Sequence, residues 1–243
     1  MLAFCQGAEL SEGGTQVQTT RRERLREATK AEIKEVARLQ LSQRGLGAIS
    51  LRAIARDMGM TAAAIYRYYD SLEALTDDLC ADRYAALTKE VVAAQQGQTD
   101  PVERLRQSCR AFRRWAIAHP QEFALICGAP TTNADGETPA TPKMEAGLDF
   151  TLAFVEPFAA VWQARPGPPV PMVPGVIESL DGPLVEVLLQ ALPIEGVVYF
   201  VNGWARLSGS ITMEIFGHLG WAVSDAEWLF EQNLDDMLHQ VAS

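Results

Sequence analysis

Apolar positions recur every three or four residues along most of the chain, and alternating runs of β-branched residues are absent. The short run at 197–201 is the one stretch that would also suit a strand. The first clear helix spans 21–44, a segment without Gly or Pro in which Ile33, Val36, Ala37 and Leu41 share one face, and Gly45 follows where a left-handed cap is needed. Ser50 is an N-cap for a second helix at 51–58, with Leu51, Ile54, Ala55 and Met58 as its inward stripe and Gly59 at its end. Thr61 opens a short third helix, 62–68, and Ser71 a fourth at 72–95 marked by Leu75, Leu79 and Leu87.

Farther along, Asp100-Pro101 launches a helix to 118, and His119-Pro120 breaks it and starts another at 121–127. Helices are expected at 144–164, 184–191 and 193–219, then a last one capped by Ser224 or Asp225 and running to the C-terminus. Residues 1–18 read as a disordered tail, and 128–142 and 165–183 as long connections, the second holding six of the thirteen prolines. The expected fold class is all-α: a three-helix N-terminal domain at 19–76 joined to a larger helical domain at 77–243.

Composition changes the picture little, since 243 residues at 48% hydrophobic and 21% charged suit an ordinary folded chain. The most apolar stretch, 185–205, is interrupted by Glu195, so no membrane span is expected. The first twenty residues lack the basic start and apolar core of a signal peptide, and the expectation is a cytoplasmic protein. Cys5, Cys80, Cys109 and Cys127 form no C-x-x-C pair, and His119, His218 and His239 have no spacing that would join them in a site. Neither metal nor cofactor is expected.

Charge is more telling once divided. The net charge is −10, which argues against indiscriminate nucleic-acid binding. Residues 19–72, however, hold 11 Lys/Arg against 6 Asp/Glu, or +5, whereas 73–243 hold 10 against 23, or −13. A basic block on an acidic body points one end of the molecule toward phosphate.

That block surrounds two helices joined by the short turn Asp57-Met58-Gly59-Met60, with small Ala55 allowing close approach. The arrangement suits a helix-turn-helix and, equally, a plain helical corner; Arg21, Arg22, Arg24, Arg26, Arg44, Arg52, Arg56 and Arg67 around it favour the first. The strings Leu51-Arg52-Ala53-Ile54-Ala55, Gly59-Met60-Thr61, Ile65-Tyr66-Arg67-Tyr68-Tyr69 and Asp70-Ser71-Leu72-Glu73-Ala74-Leu75 resemble, in order and spacing, the N-terminal domain of TetR-type transcriptional regulators. His119-Pro120, Trp204 and Phe216-Gly217-His218-Leu219 resemble the WHG-type C-terminal ligand-binding domain of some members of that family.

The resemblance implies a DNA-contacting set: Ser50, Arg52, Thr61, Ala62, Ala63, Tyr66 and Tyr68. Hydroxyls at helix N-termini reach phosphates, Arg52 suits a guanine edge or a phosphate, and the tyrosine phenols can span either. Three positions depart from the family's pattern. Ala62-Ala63-Ala64 offers few polar base readers, Leu72 stands where a basic residue is common, and Gln40 lies on the inward side of the first helix. Tyr69 is read as core.

The resemblance further implies that the large domain binds a small molecule and dimerises. An aromatic and polar set at helical spacing, Phe112, Trp115, His119, Phe123, Phe150, Phe154, Phe158, Trp162 and Asn202, is the candidate pocket for an apolar or aromatic effector, although such stripes more often build core. Arg113, Glu122 and Glu156 are further polar candidates. Trp204, Leu207, Ile211, Ile215 and Trp228 are the candidate dimer surface, with Gly203, Gly209 and Gly217 permitting close helix approach. The expected function is a ligand-responsive repressor that binds a palindromic DNA operator as a homodimer. The competing readings are a helical sensor or interaction protein that has lost DNA binding, for which Ala62-Ala63-Ala64 and Leu72 speak, and an enzyme, for which no usable catalytic spacing is present.

Overall fold

The computed structural model describes residues 20–45, 47, 49–128, 141–164 and 174–242. The expected tail at 1–18 and most of the two expected connections lie outside the described residues. Among those described there are ten helices: α1 (Arg21–Arg44), α2 (Leu51–Asp57), α3 (Ala62–Ile65), α4 (Leu72–Gln95), α5 (Pro101–Ala118), α6 (Pro120–Cys127), α7 (Pro142–Ala164), α8 (Pro183–Ala191), α9 (Ile194–Ile215) and α10 (Glu227–Ala242). The protein is all-α, with an N-terminal helix-turn-helix unit and a helical C-terminal body.

Local chemistry sets most of the ends. Thr20 and Glu23 cap α1 reciprocally: Thr20 N–H donates to Glu23 Oε2 at 2.6 Å and Glu23 N–H to Thr20 Oγ1 at 3.2 Å. The hydroxyls of Ser50, Thr61 and Ser71 accept from Ala53, Ala64 and Ala74 N–H at 3.1, 3.2 and 3.0 Å, and each such cap contributes about 1 kcal/mol. Gly45 closes α1 at φ 75, the conformation a side chain would resist. The ambiguous run at 197–201 is helical within α9, because Val197, Val198 and Phe200 face the core while Val201 stays exposed.

Two ends differ from the sequence expectation by more than two residues. α3 is a single turn, not a helix to 68; past Ile65 the chain tightens into i+3 bonds, Arg67 N–H to Ala64 O at 3.3 Å and Tyr68 N–H to Ile65 O at 2.9 Å. α9 stops at Ile215, four residues short, because Gly217 at φ 70 turns the chain into a string of tight turns.

One continuous core runs through both units, with α4 common to the two. Ile33, Ala37 and Leu41 of α1, Leu51, Ile54 and Ala55 of α2, Ile65 of α3 and Leu75 of α4 pack the N-terminal unit, and Ile33, Ile54, Ile65 and Leu75 are wholly buried. Each such side chain contributes about 1.5–3 kcal/mol. α4 then runs unbroken across the boundary expected at 76/77 and packs on α5 and α7 in the centre of the body through Leu87 and Val91. α6, α8, α9 and α10 surround that centre.

Candidate nucleic-acid interface and aromatic body

The turn between α2 and α3 is set by one glycine. Gly59 adopts φ 66, its N–H donates to Arg56 O at 3.1 Å, and Met60 N–H reaches back to Ala55 O at 2.8 Å. A Cβ there would meet no other atom within 4 Å, so backbone conformation and not space demands the glycine. Gln40 explains itself in three dimensions: it is buried, and its Nε2 donates to Asp57 Oδ2 at 2.9 Å, tying the end of α2 to α1. That bond, followed by the Arg56 guanidinium, holds the Asp57 carboxyl below its ordinary range. Sequence reasoning missed this tie because its partner lies 17 residues away.

The segment that follows is presented to solvent. Arg52, Thr61, Ala62, Ala63, Tyr66 and Arg67 are exposed, with Tyr66 at 46%. Ser50 is half-buried, and its hydroxyl, like that of Thr61, accepts a cap bond while keeping its own hydrogen to donate. Arg52 and Arg67 make no ion pair with any described residue. Tyr68 is not presented in the same way. It is half-buried against the core, and the Arg26 guanidinium lies 5.7 Å from its ring centroid. Tyr69 is core: it is buried, it donates its hydroxyl to Asp78 at 2.9 Å, and burial with Asp78 pushes its phenol pKa up. Leu72 is exposed in the first turn of α4.

Charged pairs line the junction between the two units. Lys34 meets Asp82 at 2.7 Å and Lys30 meets Asp78 at 4.0 Å, both from α1 to α4. Glu122 on α6 is buried and faces Arg38 of α1 at 3.7 Å and Arg83 of α4 at 3.5 Å. It therefore belongs to this junction and not to the aromatic set.

In the body, Phe112, Phe150 and Phe154 meet one another, with ring centroids 5.0 Å (112 to 150), 5.5 Å (150 to 154) and 6.4 Å (112 to 154) apart. Phe123 joins Phe112 at 6.1 Å, and Phe158 packs on Phe200 at 5.3 Å. Trp162 faces Tyr199 at 5.4 Å, and Trp115 stacks with His119 at 5.0 Å, the His119 Nδ1 lying 3.0 Å from Trp115 O. Asn202 does not join them; it is exposed on α9 and donates to its own helix at Val198 O, 3.0 Å away. A groove of about 410 Å³ between α7 and the end of α8 is lined by other residues, among them Leu152, Val155, Glu156 and Ala191.

The expected dimer residues separate. Trp204 turns inward and stacks at 6.2 Å on Phe112 and 6.3 Å on Phe200, and Leu207 and Ile211 are buried in the protomer's own core. The stripe 204, 207, 211 faces α5, α7 and α10, so it is spoken for within one chain. Ile215 is half-buried against the same core, whereas Trp228 is 61% exposed. Phe216 and Trp221, the latter 87% exposed, were not singled out by periodicity, because the turns after α9 carry no helical stripe; exposed Met213 lies on α9 itself. A Cβ on Gly203 or Gly209 would meet nothing within 4 Å, so neither position is covered within the protomer. Arg113 is engaged: it holds Glu214 through two bonds of 2.8 Å.

Nothing resembles a nucleophile or metal centre among the described residues: no group of three His, Cys, Asp or Glu is placed to hold an ion, and burial pushes the Cys80 thiol to about 11 and that of Cys109 to about 12. No described helix is long and apolar enough to cross a membrane.

Comparison with known proteins agrees with this geometry at both ends. Residues 33–79 match the profile of bacterial regulatory proteins of the tetR family, and residues 105–237 match the tetracyclin repressor-like C-terminal domain. The HTH-type transcriptional regulator Rv1816 of Mycobacterium tuberculosis is 32% identical over 212 residues, 80% of this chain and 84% of the relative, and the regulator Mb1846 of Mycobacterium bovis matches equally. Among solved structures, the regulatory protein SCO4313 superposes with a TM-score of 0.64 at 28% identity, covering 90% of this chain and 100% of that one. RolR in complex with resorcinol shares the fold at a TM-score of 0.57 and 13% identity, over 89% of this chain and 88% of that one. The exposed helix-turn-helix, the helical body behind it and these matches agree: the chain belongs to the TetR family of DNA-binding transcriptional regulators.

Proposed function

We propose that the protein is a ligand-responsive repressor that binds a palindromic operator as a homodimer and is released by a small apolar or aromatic effector. The observation that carries the DNA half is the exposure of Thr61, Ala62, Ala63 and Tyr66 together with Arg52 and Arg67, whose charges no described residue neutralises. Ser50, Arg52 and Thr61 serve as backbone and base-edge donors, and Tyr66 spans to either. Ala62 and Ala63 let the helix approach thymine methyl groups closely. With so few polar readers, the shape and deformability of the duplex supply part of the selectivity.

The aromatic body supports the effector half. Phe112, Phe150, Phe154 and Trp204 form one ring cluster behind the junction, and an aromatic guest would exchange ring contacts there. RolR, with the same fold, holds resorcinol. Two-fold pairing uses the uncovered positions Gly203 and Gly209 of α9 together with exposed Trp228, and it sets the spacing of two recognition segments. A coupling of about 1–3 kcal/mol between effector and DNA changes affinity about 5- to 150-fold.

Selection of duplexes from a random-sequence pool with the purified chain tests this reading. The expected product is a two-fold palindrome bound by a dimer, in mobility shift and in sedimentation. Recovery of no enriched sequence, with a monomer or dimer that ignores DNA even at low salt, would establish instead the sensor reading that Ala62-Ala63-Ala64 and exposed Leu72 favour.

A further inference from the structure

The inward stripe of α1 changes its chemistry along the helix. Ile33, Ala37 and Leu41 are buried in the N-terminal core. One step toward the N-terminus, Lys30 lies 5.2 Å over the Tyr69 ring and 4.0 Å from Asp78. The next step is Arg26, whose guanidinium lies 5.7 Å from the Tyr68 ring centroid. Arg22 follows four residues earlier, about 6 Å of helix rise away, and is fully in solvent. Positions 22, 26, 30, 33, 37 and 41 share one side of a 3.6-residue helix. The side that packs the core therefore continues past it as guanidinium, and no carboxylate among the described residues pairs with Arg22 or Arg26.

Tyr68 links this overhang to the DNA-facing segment, since it follows Thr61 to Tyr66 directly in the chain. We propose that Arg22 and Arg26 form a phosphate clamp on the duplex beside the recognition helix, with Tyr68 as a positioning residue whose ring lies beside the Arg26 guanidinium. The proposal rests on the DNA-binding reading above and adds a second contact element to it. The occupant is the DNA backbone because the chemistry asks for a row of anions next to the recognition segment. A guanidinium pairs with phosphate bidentately, and its stacking on an aromatic face fixes the plane of the fork. The clamp supplies affinity and register and reads no sequence.

Salt dependence tests it. Affinity for a duplex selected from a random pool, and for a scrambled duplex of equal length, is measured over a range of salt. The proteins compared are the wild-type chain, R22Q/R26Q, Y68F, Y68L, and a charge-matched control, K89Q/R114Q, on exposed positions of the body. Circular dichroism confirms that each is folded. Each lost phosphate contact lowers the slope of log affinity against log salt by about 0.9, so R22Q/R26Q should lose about 1.8 per protomer, equally on both duplexes. The control should keep the wild-type slope. Y68F, which keeps the ring, should lose less of the slope than Y68L. A wild-type slope in R22Q/R26Q, or an equal loss in the control, overturns the clamp. Equal loss in Y68F and Y68L overturns the positioning role, because the phenol itself would then be touching DNA. A wild-type chain that binds neither duplex at any salt refutes the DNA reading itself, an outcome distinct from all of these.

Discussion

On α5, Arg104, Arg106, Arg110 and Arg113 each reach a carboxylate of another helix: Glu156 of α7, Asp235 and Glu231 of α10, and Glu214 of α9. Around the helix-turn-helix, Arg21, Arg22, Arg24, Arg44, Arg52 and Arg67 meet no carboxylate among the described residues. Arg38 and Arg56 excepted, which pair with Glu122 and Asp57, the same side chain thus does opposite work in the two units. In the body it fastens helices to one another, and in the N-terminal unit it is held out for a partner that brings its own negative charge. The two ends of the core differ too: the N-terminal unit is packed mainly by branched aliphatic side chains, and the body by rings that meet at 5–6 Å.

The sharpest way to break this comparison is to damage one unit and ask whether the other notices. Phe154→Ala removes a wholly buried ring from the body and should cost about 3–5 kcal/mol in denaturant unfolding. If the units are as distinct as the packing at the two ends of the core, a helix-turn-helix signal such as protection of the Ile54 and Ile65 amides should survive until α4 itself melts. Tyr66→Ala should do the converse: DNA affinity falls by about 1–3 kcal/mol in mobility shift while the melting temperature stays put, because the side chain is half in solvent and touches no core.

Smaller effects probe the frame. Gly59→Ala forces a Cβ into φ 66 and should destabilise by about 1–2 kcal/mol in thermal unfolding, while Gly59→Asn should lose less, because an Asn side chain tolerates the left-handed conformation. The Asp57 carboxyl, held below its ordinary 3.8 first by Gln40 and then by Arg56, gives a sign to the pH dependence. Its contribution is complete at neutral pH and is lost as pH falls through the lowered value. The stability difference between wild type and Asp57→Asn should therefore be present at pH 7 and close in acid, in urea titrations at several pH values.

Local signals in the chain were legible and distant ones were not. Ser50, Thr61, Ser71 and Asp100 each cap the helix that their side chain and neighbours foretell, because a cap bond spans two or three residues. The length of α3 was not legible. Its tightening after Ile65 goes with the anchoring of Tyr69 to Asp78, nine residues on. Trp204 shows the same limit: an apolar stripe on a helix says that something covers it, and only the packing shows that Phe112 and Phe200 of the same chain do. Arg26 and Arg22 were legible as charge, but their direction became visible only once Tyr68 was found beneath Arg26.

α4 passes without interruption from Leu72, in the unit that faces DNA, to Gln95, whose side chain bonds Ala153 O deep in the body at 2.9 Å. Its 24 residues make a stiff lever about 36 Å long. A tilt of only about 5° at the ring cluster would sweep the far end through about 3 Å, close to the rise of one base pair, the 3.4 Å per step of a strand. Two such levers, one in each half of a pair, would double the error in spacing. Under the proposed function, a modest repacking of rings would thereby become a misfit that a rigid duplex cannot follow.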